Sequence, residues 1–167
     1  MDLAYHMNGV CIVKKLILMT HKRELHKKIK KKIYDNTLNL IVHQYGNYVM
    51  QVIIENWEDN ELNDIIDLCK DKYVSLSNQK YSSNAVERII EKNKKYLEYY
   101  IEQICCKNNL LEVIRNNFGN YVIQKAVKLS SGKIREKLIK EIMKNLNKLE
   151  DEKIIKKWKY IIINANF

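Results

Sequence analysis

The stretch Tyr45-Gly46-Asn47-Tyr48-Val49-Met50-Gln51 decides how the whole 167-residue chain is read, because it returns without gaps further along. The other copies are Tyr81-Ser82-Ser83-Asn84-Ala85-Val86-Glu87 and Phe118-Gly119-Asn120-Tyr121-Val122-Ile123-Gln124. A weaker one is Asn8-Gly9-Val10-Cys11-Ile12-Val13-Lys14. The third position of each copy falls at residues 10, 47, 83 and 120, giving intervals of 37, 36 and 37. A period of that length marks a helical solenoid, in which each unit buries its apolar face against its neighbours.

Within each copy the apolar residues recur at i, i+1, i+4 and i+5. They are Ile12, Val13, Leu16 and Ile17; Val49, Met50, Ile53 and Ile54; Ala85, Val86, Ile89 and Ile90; and Val122, Ile123, Ala126 and Val127. That stripe is the buried side of an amphipathic helix. Between the stripes lie Asn47 and Gln51, Ser83 and Glu87, and Asn120 and Gln124. Each pair is spaced i, i+4, which predicts side chains one above the other on a single exposed face.

Working outward, short apolar helices are predicted at 37–43, 72–78 and 110–116, and longer amphipathic ones at 22–34, 61–69, 96–105 and 134–146. Turn and capping residues gather near 56–60, 93–95 and Ser130-Ser131-Gly132. The units then run near 1–35, 36–71, 72–108 and 109–147. The charged stretch 148–157 and Trp158-Lys159-Tyr160-Ile161-Ile162-Ile163 follow, and 148–167 is expected to cover the open end of the stack.

Composition agrees. Hydrophobic residues make up 46% and charged residues 30%, enough for a packed core. No proline and only four glycines exclude collagen-like and turn-rich all-β chains. An all-α chain is expected. The formal charge of +10 favours a polyanionic partner. Lys14 and Lys15 interrupt the apolar run near the start, so neither a signal peptide nor a membrane helix is expected. Cys11, Cys69, Cys105 and Cys106 lack zinc-site spacing and read as reduced, mostly buried thiols. The expectation is a soluble intracellular protein without metal or cofactor. No glycine-rich phosphate loop, H-E-x-x-H or nucleophile elbow occurs, and His6, His21, His26 and His43 are scattered, so no enzyme is expected.

The stretches His43 to Gln51, Lys80 to Glu87 and Asn117 to Gln124 resemble Pumilio (PUF) family repeats, specifically the last three of that family's usual eight, in the same order. The resemblance covers essentially the whole chain and implies a right-handed α-solenoid of about four three-helix repeats. It also implies that each repeat addresses about one base of single-stranded RNA through side chains of its middle helix. The implied RNA-binding residues are Asn47, Tyr48 and Gln51; Ser83, Asn84 and Glu87; and Asn120, Tyr121 and Gln124. In each set the second residue stacks against bases and the outer two address the base edge.

Chemistry gives those sets different preferences. The Asn/Gln pairs offer donors and acceptors, and in this family they are associated with uracil. Glu87, ionised, only accepts, which suits the adjacent N1–H and N2–H of guanine. The resemblance implies RNA running antiparallel to the protein, and so a reading 5′-U, G, U from Asn120/Gln124 through Ser83/Glu87 to Asn47/Gln51. In the first copy Val10, Cys11 and Lys14 lack the edge-reading amide, leaving no base specificity or a phosphate or carbonyl contact. Lys15, Arg88 and Lys125 follow the sets directly and are candidates for backbone phosphates, while Val52 holds the remaining place.

The resemblance implies binding to UGU-containing mRNA 3′ untranslated regions and cytoplasmic repression of translation or promotion of decay. Deadenylation or repressor proteins are the implied partners, on the convex face. Two other readings are a helical scaffold for protein partners and a PUF-like binder of RNA or DNA without base specificity, in nucleolar ribosome assembly. The lysine-rich run Lys22, Arg23, Lys27, Lys28, Lys30, Lys31 and Lys32 reads as the solvated face of an outer helix, and Tyr96, Tyr99 and Tyr100 as packing between helices.

Overall fold

Each signature stretch opens an eleven-residue helix: α1 (Gly9–Met19), α4 (Gly46–Asn56), α7 (Ser82–Lys92) and α10 (Gly119–Leu129). The computed structural model describes residues 1–20, 24–106 and 109–165. Short helices precede three of the four, namely α3 (Thr37–Val42), α6 (Tyr73–Ser77) and α9 (Asn109–Arg115). Longer ones follow each of them: α2 (Glu24–Tyr34), α5 (Asp59–Cys69), α8 (Lys94–Ile104) and α11 (Gly132–Leu146). The last element is α12 (Glu152–Ala165), and a 3-10 turn over Asp2–Tyr5 stands where α1 lacks a short helix. Among the described residues no strand occurs.

The signature helices stack in chain order, α1 on α4, α4 on α7 and α7 on α10, and α12 packs against α10. The stripes of the middle helices explain this. Val49, Met50, Ile53, Ile54, Ala85, Val86, Ile89, Ile90, Val122, Ile123, Ala126 and Val127 are all buried. The first stripe departs from expectation: Ile17 is buried, but Ile12 is 58% and Leu16 40% exposed. Helices α4, α7 and α10 each stack between two other helices, whereas among the described residues the helix stacked on α1 is α4, with the 3-10 turn beside it. Among the described residues no signature helix stacks on its second flank.

Close approach fixes how each short helix meets its signature helix. A Cβ on Gly46 would sit 2.7 Å from the Leu40 carbonyl oxygen, six residues back. One on Gly9 would meet the Leu3 carbonyl in the same relation. In α7 the place is held by Ser82, whose hydroxyl donates to the Leu76 carbonyl at 2.6 Å. Glycine brings the backbones together, and serine achieves the junction with a hydrogen bond.

Three expectations need correction here. The turn foreseen at 93–95 contracts to Asn93, the N-cap of α8, whose side chain accepts from the Tyr96 amide. The charged stretch 148–157 is split, because α12 begins at Glu152 and Trp158 is fully buried. Cys69 is buried and Cys105 half-buried, but Cys11 and Cys106 are exposed, so the thiols are not mostly buried. Burial pushes the Cys69 thiol up to about 12. Cys11 is exposed because it occupies the outward position of α1 that Tyr48 holds in α4.

Among the described members of the lysine-rich run, Lys27, Lys28, Lys31 and Lys32 are exposed and Lys30 half-buried; Lys22 and Arg23 lie outside the described residues, as does His21. So do Lys107 and Asn108 at one expected unit boundary and the last two residues of the expected 148–167 cap. Tyr96 and Tyr100 are buried, and Tyr100 packs edge-on against Tyr73 at 5.4 Å. No helix among the described residues is long and apolar enough to cross a membrane.

Candidate nucleic-acid interface

The interface is built from the first two turns of α4, α7 and α10. His43 and Asn116 cap two of these helices. His43 Nδ1 accepts from the Tyr45 and Gly46 amides at 3.2 and 3.3 Å, and Asn116 Oδ1 accepts from Phe118 and Gly119 at 2.8 and 3.0 Å. Capping fixes the helix start, and so the direction in which the next side chains leave.

Those side chains do not all face solvent. Asn47, Ser83 and Asn120, expected on an exposed face, are 1%, 5% and 7% exposed. Their side chains turn back onto carbonyls just before each helix. Asn47 Nδ2 donates to the His43 and Gln44 carbonyls, both at 2.9 Å, and Asn120 Nδ2 to those of Asn116 and Asn117 at 2.8 and 3.0 Å. Asn47 Oδ1 then accepts from Gln51 Nε2 at 2.9 Å, and Asn120 Oδ1 from Gln124 Nε2 at 2.9 Å. The asparagine is an anchor. It holds the half-buried glutamine with one N–H and the Oε1 acceptor still available, the complement of a carbonyl beside an N–H.

Helix α7 differs. Among the described residues Glu87 has no hydrogen-bond partner, so both its oxygens are available to accept. Partial burial holds its carboxyl above the ordinary 4.5, against the pull of Lys125 and Arg88, while Glu91 adds to the rise. The stacking candidates stand outward: Tyr48 is 50% and Tyr121 57% exposed, and Asn84 is exposed as well. Between α7 and α10 a groove of about 350 Å³ brings together Ser83, Asn84, Glu87, Tyr121, Gln124 and Lys125.

Two cations beside the groove, Arg88 and Lys125, are already engaged. Arg88 Nε lies 3.1 Å from Glu55 Oε1, Arg88 also reaches Glu91 at 3.3 Å, and Lys125 Nζ lies 2.6 Å from Glu91 Oε1. This ladder crosses α4, α7 and α10, and the Lys125 hydrogen bond holds the Glu91 carboxyl below its usual range. In α1, Val10 is buried in the asparagine's place, Cys11 and Lys15 are exposed, and Lys14 is half-buried. None of these four joins the groove between α7 and α10.

A family model described as the Pumilio-family RNA binding repeat matches residues 36–68, 72–94 and 109–143. The chain belongs to the Pumilio family. The match leaves out α1 and α2, the unit that departs from the signature. Among curated Pumilio proteins, the chain is 31% identical over 152 residues to Pumilio homolog 12 of Arabidopsis thaliana, covering 89% of this chain and 25% of that one. It is 30% identical over 143 residues to a Pumilio domain-containing protein of Schizosaccharomyces pombe, covering 85% and 21%. Its fold matches the Puf3 RNA binding domain bound to a Cox17 RNA 3′ UTR recognition sequence, with a TM-score of 0.79 at 25% identity, over 96% of this chain and 51% of that one. The Puf4 RNA binding domain bound to an HO endonuclease RNA 3′ UTR recognition sequence gives 0.82 at 24%, over 98% and 52%. This Pumilio chain therefore spans about half of the solved domains and a quarter or less of the curated relatives.

Sequence reasoning missed four residues at this surface. Lys80, Phe118 and Lys128 line the groove, and Phe118 was legible as the aromatic that recurs at Tyr45 and Tyr81. Lys157 reaches α10 from α12; it stands 37 residues after Asn120, so the interval carried that signal.

Proposed function

We propose that this Pumilio chain is a sequence-specific single-stranded RNA-binding module that reads a UGU core in mRNA 3′ untranslated regions. The observation that carries the reading is the order of three stacked helices: an amide pair on α4, a carboxylate on α7, an amide pair on α10. Each has an exposed side chain beside it on which a base can stack, worth about 1–3 kcal/mol per base. Gln51 and Gln124 suit uracil through one donor and one acceptor. Glu87 accepts from guanine N1–H and N2–H, and a base lacking those donors leaves a carboxylate oxygen unpaired at a cost of about 1–3 kcal/mol. The relatives solved with 3′ UTR sequences support RNA as the partner class.

In the cell, the proposed outcome is cytoplasmic repression of translation or message decay through recruited deadenylation or repressor proteins. A second groove of about 430 Å³, lined by Tyr73, Tyr96 and Tyr99, offers a surface for such partners away from the signature helices. The proposed activity is binding rather than catalysis.

The test is an exchange of base preference. Ser83→Asn with Glu87→Gln reproduces the neighbouring pairs and is expected to move the preference from UGU to UUU. Fluorescence anisotropy with short labelled RNAs differing at the central base measures it. Because Ser83 is buried, the variant's thermal melt is recorded alongside. A folded double variant that still prefers guanine refutes the reading.

A further inference from the structure

We infer that Lys157 forms a subsite for the RNA phosphate that adjoins the base held at α10; the inference rests on the proposed RNA reading. Lys157 belongs to α12, yet its Nζ donates to Asn120 Oδ1 at 2.8 Å and stands 5.2 Å from the centre of the Tyr121 ring. A fourth element therefore reaches the surface made by α4, α7 and α10.

Two features equip this ammonium to receive an anion. The first is its partners. Arg88, Lys125 and Lys156 each pair with a glutamate, whereas the groups around Lys157, an amide oxygen and an aromatic face, are neutral. Among the described residues Lys157 is in no ion pair. A lysine has three donors, and one is used on Asn120. Two N–H groups and a full positive charge stay available beside an aromatic that a base would cover, and a phosphate oxygen is the acceptor that RNA brings to such a place.

The second feature is what Lys157 does to α10 alone. Asn120 Oδ1 accepts from both Gln124 and Lys157, filling both lone pairs, whereas Asn47 Oδ1 accepts from Gln51. The end position of the stack is thus equipped differently from its chemical twin on α4. A base stacking on Tyr121 displaces the ammonium from the ring, and the neighbouring phosphate is the group within the RNA that compensates it.

The test uses the full chain and unlabelled eight-nucleotide RNAs beginning 5′-UGU, with a 5′-hydroxyl or a 5′-phosphate, competing against a labelled UGU RNA. For the wild type, the 5′-phosphate should improve competition about five-fold, the size of a partly exposed charge pair. Lys157→Arg should keep that gain. Lys157→Met, which retains the stem over Tyr121, should abolish it, so that in this variant the 5′-phosphate and 5′-hydroxyl RNAs compete equally whatever their common affinity. An equal gain from the phosphate in wild type and Lys157→Met, or no gain in the wild type, overturns the subsite while UGU still outcompetes CCC. Loss of that UGU preference in the wild type overturns the RNA reading and the subsite with it.

Discussion

Asn47 and Gln51 look alike in the sequence and do opposite work in the structure. Asn47 donates to two backbone carbonyls and orients Gln51, so removing its amide loses all three hydrogen bonds. Asn47→Ala should destabilise the protein by about 1–3 kcal/mol, while Gln51→Ala should change stability by less than about 0.5 kcal/mol. Chemical denaturation of the two variants distinguishes them, and equal losses would show that Asn47 is not an anchor. Glu87 gives a second residue-scale test. Its folded carboxyl is raised above 4.5 by burial, so the folded state holds the proton more tightly than the unfolded one and loses stability as pH rises through the folded value. Glu87→Gln should therefore raise the melting temperature at pH 7, and the gain should disappear once the medium is acidic enough to protonate the wild type. Guanine preference should follow the same titration and fade on acidification, because a protonated carboxyl turns a donor toward guanine's donors. A guanine preference unchanged down through the carboxylate range would contradict this.

At the scale of the helix, much was legible. The stripes of α4, α7 and α10 are buried as their spacing requires, since a period of 3.6 residues fixes the face and two stacked neighbours cover it. What the pattern could not reveal depends on what lies beside a helix. Leu16 reads the same as Ile53, yet it is 40% exposed while Ile53, between α1 and α7, is buried. The inward turn of Asn47 depends on the two carbonyls that its amide reaches just before the helix, and Lys157 reaches its place only through the packing of α12. The identity at Gly46 was visible as part of a motif, but its reason is the Leu40 carbonyl 2.7 Å from where a Cβ would stand. Gly46→Ala should cost about 1–3 kcal/mol, as overpacking does, because the contact is backbone and cannot rotate away. Thermal unfolding measures it; a melt unchanged from wild type would mean the α3–α4 junction relaxes freely.

Over the whole molecule, stability should follow the stacking. A quasi-one-dimensional array opens most easily at the unit with fewest packed neighbours. Helix α1 leaves Ile12 and Leu16 exposed, whereas α7 is enclosed by α4 and α10. Native-state hydrogen exchange should find the amides of α1 exchanging fastest among the signature helices and those of α7 slowest. Protection in α1 equal to that in α7 would show that the array opens as one cooperative block instead.

The two ends of the stack have different valence. Trp158 and Ile162 on α12 close the flank of α10, while Ile12 and Leu16 leave the flank of α1 ready to be covered. An engineer wishing to lengthen the recognised sequence would thus splice designed units ahead of α1, where each Å² of apolar surface withdrawn from water returns about 25 cal/mol. Grafting at the other terminus would first require cutting away α12, and with it the lysine that reaches Tyr121.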